Sequence, residues 1–293
     1  DHNLNEQEIF QCVQSQQEVF RSYDIHIPQS GLLAGLHKPV FSKNLFKNAF
    51  GEDNVHFPMG DAVLKYGVQG VLELTAKRTA EDTEETAVYR QAVHGVYIGV
   101  REFILKHMDR ALEMKKERPE DAGRLQKIAD NCQALAQGRP GNFIQALQLF
   151  WFMYLLRRPF GGGCIGRLDQ KLYPFCKSDM ERGAWNREEA MEFYGYLNEI
   201  RTGDTLRNLM LSGQDEGGRD LTNELTWVFL EAYERTGDAE PHLNVRLHTG
   251  SPEELKKTCV RMLSEGKGQP TLYFDRWIMP AMERAGIAHT DAC

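Results

Sequence analysis

The stretch that decides the fold runs from Pro241 to Trp277, PHLNVRLHTGSPEELKKTCVRMLSEGKGQPTLYFDRW. Leu243, Val245 and Leu247 point one way and Asn244, Arg246 and His248 the other, the period of two that marks a strand. Ser251-Pro252-Glu253-Glu254 then supplies a capping box with proline at the first helical position, so a helix is expected that closes at Gly266. The loop Gly266-Lys267-Gly268-Gln269-Pro270 reads as a helix cap with a turn. A second strand follows at Thr271 to Phe274, and a helix from about Arg276 to Arg284 ends before Gly286. Strand, helix, strand, helix in this order predicts parallel strands with right-handed helical crossovers, an α/β architecture.

Upstream, the pattern is helical. From Asp61 to Arg78, Val63, Leu64, Val68, Val71 and Leu72 recur at helical spacing, and from Tyr89 to Leu112 Val93, Val96, Tyr97, Val100, Phe103, Ile104 and Met108 do the same. A third helix is expected from Pro119, with Leu125, Ile128, Cys132 and Leu135 on one side and Gly138 at its end. A fourth, Phe143 to Arg157, is apolar all round and belongs inside a large core. No repeat, low-complexity run or firm domain boundary interrupts the chain.

The 293 residues are 41% hydrophobic and 26% charged, enough apolar material for a sizeable core, and 26 Gly with 11 Pro exclude collagen-like or disordered classes. A net charge of −7 gives no electrostatic case for nucleic acid or an anionic membrane, so a small molecule is the expected partner. Cys12, Cys132, Cys164, Cys176, Cys259 and Cys293 form no C-x-x-C pair, and no H-x-x-H spacing offers a zinc site. With no apolar leader and no bilayer-length apolar run, these read as reduced thiols of a cytoplasmic protein with no metal. The start at Asp1 and stop at Cys293 suggest a fragment.

Few residues stand out as chemistry. Gly161-Gly162-Gly163-Cys164-Ile165-Gly166-Arg167 lacks the order of a P-loop and follows a helix, which leaves a pocket-lining loop or a tight turn. Cys164 is the thiol whose loop context suggests a pocket, whereas Cys132 and Cys259 fall on apolar helix faces as core thiols. Nothing local pairs a cysteine with an activating group for nucleophilic catalysis. Arg167 and Asp169, with Gln170, stand beside Leu172, Tyr173 and Phe175, and are expected to form a buried structural pair; Arg246, between Val245 and Leu247, has the same character. His56, in Val55-His56-Phe57-Pro58, is a polar group in an apolar loop, structural or facing a substrate.

Several segments together resemble the glycyl radical enzymes, the pyruvate formate-lyase-like superfamily. Gly166-Arg167-Leu168-Asp169-Gln170-Lys171-Leu172-Tyr173-Pro174-Phe175 is similar to the G-R-x-D-Q-Y-L-Y-P-F segment of its lyase and dehydratase branch, with Lys171 in place of the tyrosine. Ala146-Leu147-Gln148-Leu149-Phe150-Trp151-Phe152 resembles the helix leading into it, and Gly218-Arg219-Asp220-Leu221-Thr222-Asn223-Glu224-Leu225 the G-R-D-A-T-N-E-L helix start. Pro241 to Arg246 and Gly266 to Asp275 are similar to the P-x-L-S-V-R and G-x-G-Q-P-A-L-Y-N-D strands. His56-Phe57, Asp61 and Val63-Leu64 fit the G-H-x-x-x-D-Y-x-x-V-L region more loosely.

The resemblance implies a helix-rich part of a ten-stranded α/β barrel, with residues 1–293 as part of a single barrel domain. It implies that the thiyl cysteine and radical glycine lie beyond Cys293, so that this chain alone is inactive and holds no bound cofactor. In the longer protein, a partner activase using S-adenosylmethionine and an iron-sulfur cluster installs the glycyl radical. The resulting thiyl triggers C–O, C–N, C–S or C–C cleavage in a small substrate. His56, Gly162 and Cys164 are then expected to face substrate, with Arg167, Asp169 and Arg246 structural nearby. A homodimer in the cytoplasm is also implied. Some diol-dehydrating relatives carry a His-Ser pair where Gly161 to Cys164 stand here, which argues against a glycerol-type dehydratase. The rival reading is a non-catalytic α/β binding or scaffold protein.

Overall fold

A computed structural model describes residues 5–35, 60–157, 165–199, 208–237 and 241–293, and the chain divides into two compact units. The first holds α1 (Glu6–Ser22), α2 (Gly60–Thr75), α3 (Glu84–Glu117), α4 (Ala122–Gln137) and α5 (Phe143–Arg157). Helix α1 starts at a capping box, with Asn5 Oδ1 accepting from the Glu8 N–H at 3.0 Å and Glu8 Oε2 accepting from the Asn5 N–H at 2.8 Å. Helix α3 extends past both ends of its apolar pattern because the Thr83 side chain caps it and Arg118-Pro119 stops it.

Helix α5 has twelve buried residues and packs against α2, α3 and α4, as its uniform apolarity demands. Its one buried amide is satisfied like a strand partner: Gln148 accepts from the Ala34 N–H at 2.6 Å and donates to the Ala34 carbonyl at 2.9 Å. Trp151 Nε1–H donates to Gly35 O at 3.0 Å, and the Tyr23 hydroxyl to Leu155 O at 2.7 Å, so α5 is tied to residues 23–35 as well as packed.

Helix α2 bends at Gly67, whose φ is 70°. A Cβ there would overlap the Gly138 carbonyl, where α4 ends, so glycine serves both the kink and the close approach. Gly67→Ala is expected to cost about 1–3 kcal/mol from strain and overlap. A denaturation midpoint equal to the parent's would show that the two helices part without penalty.

The second unit holds α6 (Leu168–Glu181), α7 (Arg187–Glu199), β1 (Asn208–Ser212), α8 (Glu224–Thr236), β2 (His242–Leu247), α9 (Glu253–Ser264), β3 (Thr271–Phe274), α10 (Asp275–Arg284) and α11 (His289–Ala292). The strands form one parallel sheet in the order β1-β2-β3, with Leu211 opposite Val245 and Val245 opposite Leu272. The expected α/β class with parallel strands and helical crossovers is therefore present.

The expected strand forms as β2, and its polar face is covered as well, with Asn244 only 3% exposed. The Asn244 amide donates to Asn208 Oδ1 at 3.3 Å and to the His242 carbonyl at 3.1 Å, which lets a polar side chain sit on a covered sheet face. One local expectation needs correction: the capping box before α9 does not form. Ser251 Oγ accepts from the His248 N–H at 2.9 Å, back toward the strand, and Pro252 caps α9 without a side-chain bond. Among the described residues, no helix is long and apolar enough to cross a membrane.

Candidate functional site at the strand ends

In a parallel sheet the loops after the strands gather at the carboxyl edge, where α/β proteins build their sites. Gly166 adds to this edge through a parallel bridge to Leu209, with its N–H donating to Asn208 O at 3.1 Å and its carbonyl accepting from Met210 N–H at 2.9 Å. Arg167, Ser212, Arg246, His248 and Asp275 are thereby brought to one rim.

Arg167 and Asp169 are joined through Ser212 rather than to each other. Arg167 Nη2 donates to the Ser212 carbonyl at 2.8 Å, while Asp169 Oδ2 accepts from the Ser212 N–H and from the Thr226 hydroxyl, both at 2.8 Å. Ser212 has φ 60°, a conformation side chains seldom adopt, and its hydroxyl bonds Thr222 Oγ1 at 2.8 Å. Three grips thus hold one strained residue where β1 ends. Burial pushes the Asp169 carboxyl up to about 6, opposed by the Ser212 N–H, the Thr226 hydroxyl and the Arg167 charge. Its Oδ1 has no hydrogen-bond partner among the described residues.

Arg246 is a buried half of an ion pair. Its Nε donates to Asp275 Oδ1 at 2.7 Å, with the side chains 11% and 0% exposed. The rest of the guanidinium reaches the Cys293 carbonyl and, at 3.1 Å, the Ala292 carbonyl. Arg167 Nη1 reaches the same Cys293 oxygen at 2.7 Å. Two guanidiniums therefore meet at an oxygen of the last residue, whose chain-end carboxylate attracts positive charge, and burial lowers the Arg167 group from its usual value.

A second network flanks Ser212. Gly250 N–H donates to His248 Nδ1 at 3.2 Å, so His248 carries its proton on Nε2 and donates to Asp220 Oδ1 at 3.0 Å. The Thr222 hydroxyl donates to the same Asp220 oxygen at 3.0 Å, and Ser212 in turn donates to Thr222. Sequence reasoning missed Ser212 and His248; the signal was the run Ser212-Gly213 at the end of β1, a place for left-handed backbone.

Burial raises the thiols of Cys132 and Cys176 to about 12 and that of Cys259 to about 11, and the thiols of Cys12 and Cys293 also lie above their usual value. Cys132 and Cys259 are core thiols, as expected. The described cysteines are thus poor ionic nucleophiles. Among the described residues, no group of His, Cys, Asp and Glu is arranged to hold a metal. His56, Gly162 and Cys164 lie outside the described residues.

Fold and rim define an α/β protein with buried charges at the ends of parallel strands. The pyruvate formate lyase-like family model matches residues 14–293, and the chain belongs to that family. It is 32% identical over 246 residues to a (2S)-3-sulfopropanediol dehydratase of Klebsiella oxytoca, covering 76% of this chain and 30% of that protein. Over 269 residues it is 29% identical to the probable dehydratase YbiW of Escherichia coli (strain K12), covering 81% of this chain and 33% of the relative. The crystal structure of a glycyl radical enzyme from Archaeoglobus fulgidus superposes with a TM-score of 0.82 at 22% identity, covering 97% of this chain and 49% of that one. The fold is therefore that of part of the glycyl radical enzyme α/β barrel. The chain spans about a third of the length of these curated relatives.

Proposed function

We propose that a longer protein containing this chain is a glycyl radical lyase of the cytoplasm, acting on a small organic substrate. The observation that carries the reading is the family match over residues 14–293 together with a strand-end rim that buries the Arg246–Asp275 pair and Asp169. A radical survives only where water and stray hydrogen donors are kept away, and a buried ion pair such as Arg246–Asp275 suits that need. In this reading a glycine radical takes the hydrogen of a cysteine S–H, and the thiyl so formed takes a hydrogen atom from a substrate carbon. The carbon radical then loses a neighbouring group by C–O, C–N, C–S or C–C cleavage.

The radical requires a separate activase, for which S-adenosylmethionine and an iron-sulfur cluster are the proposed reagents, and the enzyme is proposed to work as a homodimer. His56, Gly162 and Cys164 are kept as substrate-facing residues, and Arg167, Asp169 and Arg246 as structural residues near the site. Residues 1–293 form part of one barrel domain and by themselves turn over nothing.

The test is anaerobic activation of the parent-locus product with an activase, read by electron paramagnetic resonance and by turnover of a panel of diols, hydroxy-amino acids and sulfonates. A glycyl signal with turnover of one panel member is the expected result. A parent locus that encodes neither a G-C-x-E nor an R-V-x-G-Y segment would sink the proposal and favour a scaffold or binding role.

A further inference from the structure

We propose that His242, Asn244 and Thr271 form a specificity-determining site that binds a hydroxyl group of the substrate on the polar face of the sheet. The inference rests on the proposed function for what is turned over, and on strand geometry for the site itself.

Register gives the sheet two unlike faces. Leu209, Leu211, Leu243 and Val245 are buried on one, the apolar side on which a parallel sheet meets its crossover helices. The other carries Asn208 opposite His242 and Asn244 opposite Thr271, with Ser212 opposite Arg246 at the rim. It is a covered face too, since Asn244 is 3% exposed and Ser212 fully buried. Parallel strands covered on both sides are ordinarily apolar throughout, and covering an amide costs free energy unless its groups are used. Two of the polar groups depart from the resembled motifs. P-x-L-S-V-R has serine where Asn244 stands, G-x-G-Q-P-A-L-Y-N-D has alanine where Thr271 stands, and the two departures are register partners.

The hydrogen bonds leave a matched set of unused groups. Asn244 spends its amide N–H groups on Asn208 Oδ1 and the His242 carbonyl, so its Oδ1 has no partner among the described residues. His242 Nε2 meets Thr271 Oγ1 at 2.9 Å, and His242 Nδ1 has no partner among those residues either. In either tautomer this pair keeps one donor and one acceptor. A donating threonine leaves Nδ1–H and the threonine lone pairs, and an accepting one leaves its O–H and the Nδ1 lone pair. One donor beside two acceptors suits a hydroxyl, which gives one hydrogen bond and takes another. A carboxylate or sulfonate only accepts and an ammonium only donates, so each leaves a group unmatched.

The experiment titrates unactivated full-length protein with three hydroxyl probes, 1,2-propanediol, free serine and 2-hydroxyethanesulfonate, and with their deoxy counterparts, 1-propanol, free alanine and ethanesulfonate. Expected is a preference of about tenfold or more for one hydroxyl probe over its counterpart, because a site built to hydrogen-bond a hydroxyl rejects the analogue that lacks it. Asn244→Ser with Thr271→Ala restores the motif residues and should cut that preference to about twofold or less. After anaerobic activation the double variant should raise KM about tenfold and change kcat by less than about threefold, the mark of lost uniform binding and not of instability. No preference in any pair overturns the site, as does a preference that survives in the folded double variant. If that variant does not fold, Thr271→Ala alone gives the same reading. A parent with no glycyl signal defeats the proposed function instead, and the titrations still decide the site.

Discussion

Asp275→Ala is expected to cost the fold about 3–5 kcal/mol, the largest effect of any single change at the rim, because it leaves a buried guanidinium without its carboxylate. Arg246 sits 2.7 Å from Asp275 Oδ1 with its side chain 11% exposed, so water cannot take the place of the lost anion. Replacing both partners, as Arg246→Met with Asp275→Leu, should recover much of the loss, since two apolar groups bury no unpaired charge. Equilibrium unfolding in urea reads both quantities. A single variant that loses less than about 1 kcal/mol would mean that the pair behaves as a surface bridge.

Stability should also respond to pH with opposite signs in the two units. His107 is fully buried in the first unit, where its Nδ1–H donates to Phe103 O at 2.9 Å and its ring packs against Phe103 and Phe152. Burial lowers its pKa from 6.5 to about 4, with the Phe103 carbonyl opposing and His26 assisting. The unfolded chain then takes up the proton first, so the first unit should lose about 3 kcal/mol as pH falls from about 6.5 to about 4.

Asp169 runs the other way. Its folded value of about 6 lies above the ordinary 3.8, so its contribution is present in full below about 3.8 and fades as pH rises through 6, again by about 3 kcal/mol. Local exchange rates measured unit by unit should show the first unit weakening toward acid while the second strengthens. His107→Leu should flatten the first slope and Asp169→Asn the second. An unchanged slope in either variant would assign the titration to other groups.

Parts of this molecule could be read from the sequence for physical reasons that differ from part to part. Helix α5 was legible because a helix apolar on every side has only one place to go, and β3 because its bounds, Thr271 and Phe274, lie between a proline turn and an aspartate. Strand β1 escaped notice: Asn208-Leu209-Met210-Leu211-Ser212 is short, and its polar ends hide its period. The capping box before α9 failed because Ser251 has one hydroxyl and two suitors, and the His248 N–H won it.

At the rim, the residue types were legible and their partners were not. Arg167 and Asp169 lie two apart, which suggests a direct pair, yet both are taken up by a residue 43 positions from the aspartate. Only the pairing of Gly166 with β1 creates that neighbour. His107 left a fainter trace, four residues after Phe103 and four before Ala111 on the buried stripe of α3.

The all-apolar α5 has a meaning for synthesis as well as for packing. Twelve of its residues need cover, and an exposed segment of that kind invites aggregation. Its partners α2, α3 and α4, and the strap at Ala34 and Gly35, all precede it in the chain. A ribosome reading from the amino end therefore delivers the receptacle before the most adhesive piece, and the helix meets its own neighbours on emerging rather than those of another chain.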